Sequence, residues 1–169
     1  AVDGGYGFGN RRVMPSGPLR EPLAAGLRRA DAVVVIGTDA TGACNGVVNY
    51  TYVFNAALTP TSESDLTGKK VFAFAGIGRP EKFYATLRMM GCTVVETRDF
   101  PDHHPYTASE ISRLLEAAAG LDAVPVTTEK DFVRLPPEAR DVIKGLPVTL
   151  EWAESAAPDK ILEAILDNG

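Results

Sequence analysis

The sequence is poor in cysteine, histidine and tryptophan, with two, two and one among 169 residues. Cys44 and Cys92 lie far apart and suit neither a zinc spacing nor a disulfide framework, which points to a reducing, cytosolic setting. No apolar run approaches the roughly 20 residues needed to cross a bilayer. The start lacks the basic-then-apolar order of a secretory leader. Also missing is the Gly-x-x-x-x-Gly-Lys-Ser/Thr loop, so these residues hold no recognisable cradle for a nucleotide γ-phosphate. The net charge of −5 argues against a dedicated nucleic-acid binder, which usually carries a basic balance. Repeats and low-complexity tracts are absent as well.

What is present is a globular composition, 45% hydrophobic and 23% charged, long enough for one domain or one with a small appendage. The charge is uneven. Arg11, Arg12, Arg20, Arg28 and Arg29 fall in the first thirty residues, against Asp3 and Glu21 alone. Such a segment can meet phosphate or anionic lipid head groups. For Arg28 and Arg29, a solvated helix face explains the charge equally well. The opening Gly-rich stretch, 4–9, reads like the end of a strand running into a loop, which leads us to expect an upstream portion.

From Val71 the pattern alternates. Val71-Phe72-Ala73-Phe74-Ala75 has the apolar run of a buried strand. Pro80 suits a first helical turn, Phe83, Leu87 and Met90 follow at helical spacing, and Gly91 suits the stop. Thr93-Val94-Val95 is the next strand. Thr107 and Glu110 form a capping box ahead of a stripe of Ile111, Leu114, Leu115 and Ala118. Residues 123–127 and 146–152 make two more strands, and Pro158 opens a helix with Ile161, Leu162, Ile165 and Leu166. Earlier, 31–37 reads as a strand preceded by a helix around 23–29. The predicted fold class is α/β, a mostly parallel sheet with flanking helices. Between Thr38 and Gly68, β-branched and aromatic residues (Val47, Val48, Tyr50 to Phe54) followed by a polar 59–64 segment predict a two-stranded β-ribbon and linker.

Three polar motifs directly follow strand-like runs: Gly76-Ile77-Gly78-Arg79-Pro80, Pro101-Asp102-His103-His104-Pro105-Tyr106 and Thr127-Thr128-Glu129-Lys130-Asp131. In an open parallel sheet, loops at the carboxyl ends of neighbouring strands meet at one crevice, where ligands bind. His103, on a short loop flanked by prolines, can act as general acid or base or orient a carboxylate. A loop histidine bonded to backbone accounts for it too. Adjacent histidines on extended backbone point apart, so no joint metal site is expected from His103 and His104. Lys130 can hold a phosphate as a point charge, with Glu129 or Asp131 assisting a metal or a proton transfer. A helix start capped by Thr128 explains both acids, though not the lysine between them. Gly76-Ile77-Gly78 departs from the dinucleotide fingerprint, because no third glycine follows at the expected place. Pro15-Ser16-Gly17-Pro18-Leu19-Arg20-Glu21-Pro22 is a proline-stiffened loop whose guanidinium can clamp a phosphate, or simply pair with Glu21 at the surface.

Taken in order, Asp3-Gly4-Gly5-Tyr6-Gly7-Phe8-Gly9-Asn10, Pro15-Ser16-Gly17-Pro18-Leu19-Arg20-Glu21, Phe74-Ala75-Gly76-Ile77-Gly78-Arg79-Pro80, Asp102-His103 and Thr128-Glu129-Lys130-Asp131 resemble the C-terminal half of the tetraacyldisaccharide 4′-kinases, the lipid A 4′-kinases of Gram-negative bacteria. The resemblance implies a lobe of a P-loop NTPase-like fold, with two lobes joined by a β-ribbon. It implies transfer of the ATP γ-phosphate, with Mg²⁺, to the 4′-hydroxyl of an acylated glucosamine disaccharide, the lipid A precursor. It also implies a peripheral place on the cytoplasmic face of the inner membrane. The family's phosphate loop, its magnesium-binding Asp-Asp-Gly-Phe-Gln stretch and its membrane-anchoring helix are expected upstream of Ala1. By resemblance, His103 is the histidine that assists a catalytic aspartate in that upstream half. Arg20 and Glu21, and with them Lys130, carry over as substrate or phosphate contacts. His104 does not carry over, and no metal ligand is assigned. The expected division is 1–37 as part of the N-terminal lobe, 38–68 as ribbon and linker, and 69–169 as the C-terminal α/β lobe. Such a chain is expected to be inactive alone. The competing reading is a stand-alone phosphosugar- or nucleotide-binding module. An unrelated hydrolase comes last, since no nucleophile sits on a strained turn.

Overall fold

In the computed structural model, residues 1–61 and 65–167 are described. In chain order the elements are β1 (Val2–Asp3), α1 (Leu23–Arg28), β2 (Ala32–Ile36), β3 (Tyr52–Pro60), β4 (Lys70–Ala75), α2 (Pro80–Met89), β5 (Thr93–Asp99), α3 (Ala108–Gly120), β6 (Val124–Thr128), α4 (Glu129–Phe132), α5 (Pro137–Arg140), β7 (Lys144–Leu146), β8 (Val148–Trp152) and α6 (Ala157–Asp167). The chain divides into two compact units, Ala1–Thr59 with Thr149–Gly169, and Pro60–Val148. The last strand and helix, expected with the C-terminal lobe, therefore group with the first unit.

The second unit is built around β4. Its residues from Val71 to Ala75 are fully buried, so both faces of the strand need a cover. The period of two supplies it. Val71, Ala73 and Ala75 pack with Phe83, Tyr84 and Leu87 of α2. Phe72 and Phe74 pack with Ile111, Leu114 and Ala118 of α3. The sheet order is β5-β4-β6-β7 and every pairing is parallel. The chain leaves β4 for β5 on one side and returns with β6 on the other. That reversal opens a crevice at the carboxyl ends of β4 and β6.

Several expected elements take this form. α3 starts with the full capping box of Thr107 and Glu110, and Gly91 stands just past α2 at φ 82°. β5 runs on to Asp99, further than its apolar residues suggest. It is an edge strand, and its polar members pair locally, as when Arg98 donates to Glu96 at 2.8 Å.

The stretch expected as one strand, 146–152, is two. Pro147 has no N–H to give a ladder and separates β7 from β8, which lie in different sheets. Its carbonyl instead accepts from the Thr61 N–H at 3.1 Å.

The first unit holds the sheet β1-β2-β3-β8, with β1, β2 and β3 mutually parallel. The two-stranded ribbon expected within 38–68 does not form locally. β3 is one nine-residue strand, paired to β2 on one side and neighbour to β8 on the other. Residues before it wind into turns instead. The Asp39 carboxylate accepts from the N–H groups of Ala43 and Cys44 at 2.8 and 2.9 Å, and Gly46 enters a short 3₁₀ turn at φ 85°. Val47, read as strand, sits in that turn and packs on Leu27, Val33 and Val35. Of the polar linker expected at 59–64, residues 62–64 lie outside those described. α6 buries Ala157 and Ala164, while Leu162, Ile165 and Leu166 face outward.

Candidate active site

The three strand-end motifs meet at the crevice of the second unit. Gly76 ends β4 and makes both connections through its backbone. Its N–H donates to Asp131 Oδ2 at 2.9 Å, and its carbonyl accepts from the His103 N–H at 3.1 Å. A Cβ at Gly76 would stand 3.1 Å from the Pro101 carbonyl oxygen, 3.1 Å from the Tyr106 hydroxyl and 3.2 Å from Asp131 Oδ1. A side chain here would be tight on all three sides and would require these neighbours to shift by a few tenths of an ångström.

Asp131 is the anchor. Its relative exposure is 0%, and its carboxylate also accepts from Thr128 Oγ1 at 2.7 Å and from Arg134 at 3.2 Å. A buried carboxylate tolerates desolvation only when donors surround it, as they do here. Thr128 caps α4 by accepting the Asp131 N–H at 3.1 Å. The capping explanation and the site explanation of this motif thus coexist in one residue.

His103 lies outward of this anchor, with its side chain 66% exposed. Its backbone is left-handed at φ 62°, not the extended conformation expected for adjacent histidines. For a non-glycine residue this costs about 1–3 kcal/mol, and such strain concentrates at functional positions. The ring is fixed on one side by Arg134, which donates to Nδ1 at 2.7 Å, and lies 3.7 Å from Asp102 Oδ2 through Nε2. Lys130 reaches Asp102 Oδ1 at 3.4 Å. Burial raises the Asp102 carboxyl, but neighbouring His103 and the Lys130 ammonium outweigh it and hold the group below its ordinary value. Tyr106 lies behind, its buried hydroxyl without a hydrogen-bond partner among the described residues. Burial, then the charge of Asp131, pushes this phenol upward, so it stays a neutral hydroxyl.

His104 turns the other way. Its ring packs between Phe100 and Tyr106, with centroids 4.8 and 5.2 Å away, and Nε2 meets Glu110 Oε1 at 3.1 Å. Its surroundings are those of a packing residue.

Arg20 and Glu21 belong to the first unit. Their loop is stiff: Asn10 donates to the Ser16 carbonyl, and a Cβ on Gly17 would clash with Asn10 Oδ1 and the Arg12 carbonyl. Glu21 does not pair with Arg20. Its carboxylate is taken by Arg29, while Arg20 is exposed and has no ion-pair partner among the described residues.

Local sequence carries little signal for Arg134. It lies 31 residues from His103, and nothing in its neighbourhood marks it as different from a helix-end cation. The only available clue was its i,i+3 spacing from Asp131.

A family model for tetraacyldisaccharide-1-P 4′-kinase matches residues 1–167. The chain belongs to this kinase family. It is 50% identical over 167 residues to the tetraacyldisaccharide 4′-kinase of Rhodospirillum centenum, covering 98% of this chain and 50% of that protein. The corresponding protein of Gluconacetobacter diazotrophicus is 46% identical, again over 98% of this chain and 51% of its own length. The chain thus spans about half the length of these relatives. The crystal structure of LpxK from Aquifex aeolicus in complex with ATP shares the fold, with a TM-score of 0.60 and 24% identity over 93% of this chain and 48% of that one. The kinase family is thereby established together with the α/β class that the strand and helix pattern predicts.

Proposed function

We propose that this chain is the C-terminal part of an ATP-dependent lipid kinase that phosphorylates the 4′-hydroxyl of tetraacyldisaccharide 1-phosphate in lipid A biosynthesis. The observation that carries this reading is the crevice of the second unit. There a strained histidine, a lysine and a buried, fully satisfied aspartate converge in a chain of this family. Phosphoryl transfer depends on positioning and on charge stabilisation, and rigidly held polar groups supply both. In this reading His103 assists a catalytic carboxylate, while Lys130 and Arg20 contact phosphate or substrate. Glu21 orients the loop that carries Arg20 and adds a substrate contact.

ATP supplies the phosphoryl group, with Mg²⁺ neutralising its charge. Among the described residues no three His, Cys, Asp or Glu side chains are placed to hold a metal ion, so no metal-dependent step is assigned to them. The phosphate cradle and metal ligands are assigned to the half of the family's length that this chain does not span. The working place is the cytoplasmic face of the inner membrane, reached peripherally. No described helix is long and apolar enough to cross a bilayer, and the arginines of the first thirty residues suit anionic head groups.

The test is phosphate transfer from labelled ATP to tetraacyldisaccharide 1-phosphate. The 169-residue chain by itself should give no product above background, and the chain joined to the N-terminal half of a family kinase should give the 4′-phosphate. Product from the chain alone contradicts the division of labour. Absence of product from the joined protein, with the phosphosugar still bound, favours a binding module.

A further inference from the structure

Arg134 links the buried anchor of the crevice to its exposed histidine. One guanidinium nitrogen stands 3.2 Å from Asp131 Oδ1 and the other 2.7 Å from His103 Nδ1. The side chain is 23% exposed, and its buried partner is held in turn by the Gly76 N–H and the Thr128 hydroxyl. The guanidinium is thus aimed by a rigid base.

A guanidinium has donors only and keeps its charge throughout the accessible pH range. At 2.7 Å it must donate, so Nδ1 of His103 must present its lone pair. The proton of the neutral ring then sits on Nε2, on the side of Asp102 Oδ2. A ring in this state gives a hydrogen bond at Nε2 and cannot receive a proton there.

We propose that Arg134, braced on Asp131, is a positioning residue that fixes His103 as the Nε2–H tautomer, so that His103 serves as a hydrogen-bond donor to an oxygen anion and not as a general base. The oxygen anion is a carboxylate or a phosphoryl oxygen, since both accept from an imidazole N–H. The proton of the attacking hydroxyl must then leave to another group. The tautomer itself is independent of the kinase reading, and its catalytic consequence rests on that reading.

The first experiment is long-range proton–nitrogen correlation on the whole chain with labelled histidine rings. The chain has only two histidines, and the signals lost in His103→Gln assign His103. At a pH where the ring is neutral, wild type should show Nδ1 unprotonated and Nε2 protonated, with no tautomer averaging. Arg134→Met should restore the mixture of free imidazole, while the His104 signals, held by Glu110, stay in place. A wild-type His103 with a protonated or averaged Nδ1 overturns the proposal without any variant. So does an Arg134→Met spectrum identical to wild type. Should that variant unfold because Asp131 loses its cation, Asp131→Asn/Arg134→Met removes both charges and gives the same readout.

The second experiment uses the joined kinase. Arg134→Met should lower kcat by roughly 10-fold or more, with KM for ATP and lipid changed less than about 2-fold, as befits a group that touches neither. Arg134→Lys should not rescue it, because one ammonium cannot span both partners. His103→Ala/Arg134→Met should be no slower than His103→Ala alone. Multiplying losses in the double variant overturn the claim that Arg134 acts through His103. A joined protein without kinase activity sinks the functional reading and leaves the spectra to decide the tautomer.

Discussion

Asp131 shows how much one side chain can hold. It accepts from the Gly76 backbone, the Thr128 hydroxyl and the Arg134 guanidinium, so it ties the end of β4 to the start of α4. Asp131→Ala would leave three donors without their acceptor, the Gly76 N–H among them in the buried interior. A loss of about 3–5 kcal/mol is expected in urea unfolding, the range for breaking a buried charge pair. A loss under about 1 kcal/mol would mean that the network contributes no more than a surface ion pair. The sequence reveals Asp131 as a first-turn acid behind a Thr cap, and it reveals His103 and Lys130 as chemistry-bearing residues on strand-end loops. It does not reveal that Asp131 is buried, because burial depends on Gly76 approaching from 55 residues away. Arg134 is hidden for the same reason.

Among the elements, α3 is the one whose start is easiest to read. Thr107 and Glu110 cap each other, and His104 adds its ring to the same carboxylate. The N–H and hydroxyl of Thr107, followed by His104, lower the Glu110 pKa from 4.5 to about 2. A depressed carboxylate contributes stability that is present above the unfolded value and is lost as pH falls through the folded one. Glu110→Gln keeps the capping geometry but cannot titrate. Its urea midpoint should therefore fall less steeply than wild type between pH 4.5 and about 2. Parallel curves through that window would show that the Glu110 carboxylate carries no proton linkage. Other elements were harder to see. β5 outruns its apolar residues because an edge strand needs only its backbone to pair with β4. Pro147 ends one ladder and begins another, and a continuous apolar pattern conceals that break. In α6 the helical period is legible, yet Leu162, Ile165 and Leu166 face outward, so periodicity alone does not say what a face packs against.

For the molecule as a whole, regular alternation of strands and helices from Val71 onward predicts a parallel sheet, and the second unit has one. The ribbon expected within 38–68, near Tyr50 to Phe54, finds no second strand locally: the second neighbour of β3 is β8, which begins at Val148. Local sequence cannot report a partner that distant. The chain spans about half the length of its kinase relatives, and the proposed division of labour gives this half the histidine. The most direct test is kcat of His103→Ala against wild type, in the joined kinase with ATP and tetraacyldisaccharide 1-phosphate. The ring is mostly exposed, so the variant should fold, and kcat should fall by roughly 10²- to 10³-fold, as for loss of one donor to an oxygen anion. An unchanged kcat would contradict the account and return His103 to the role of a loop residue.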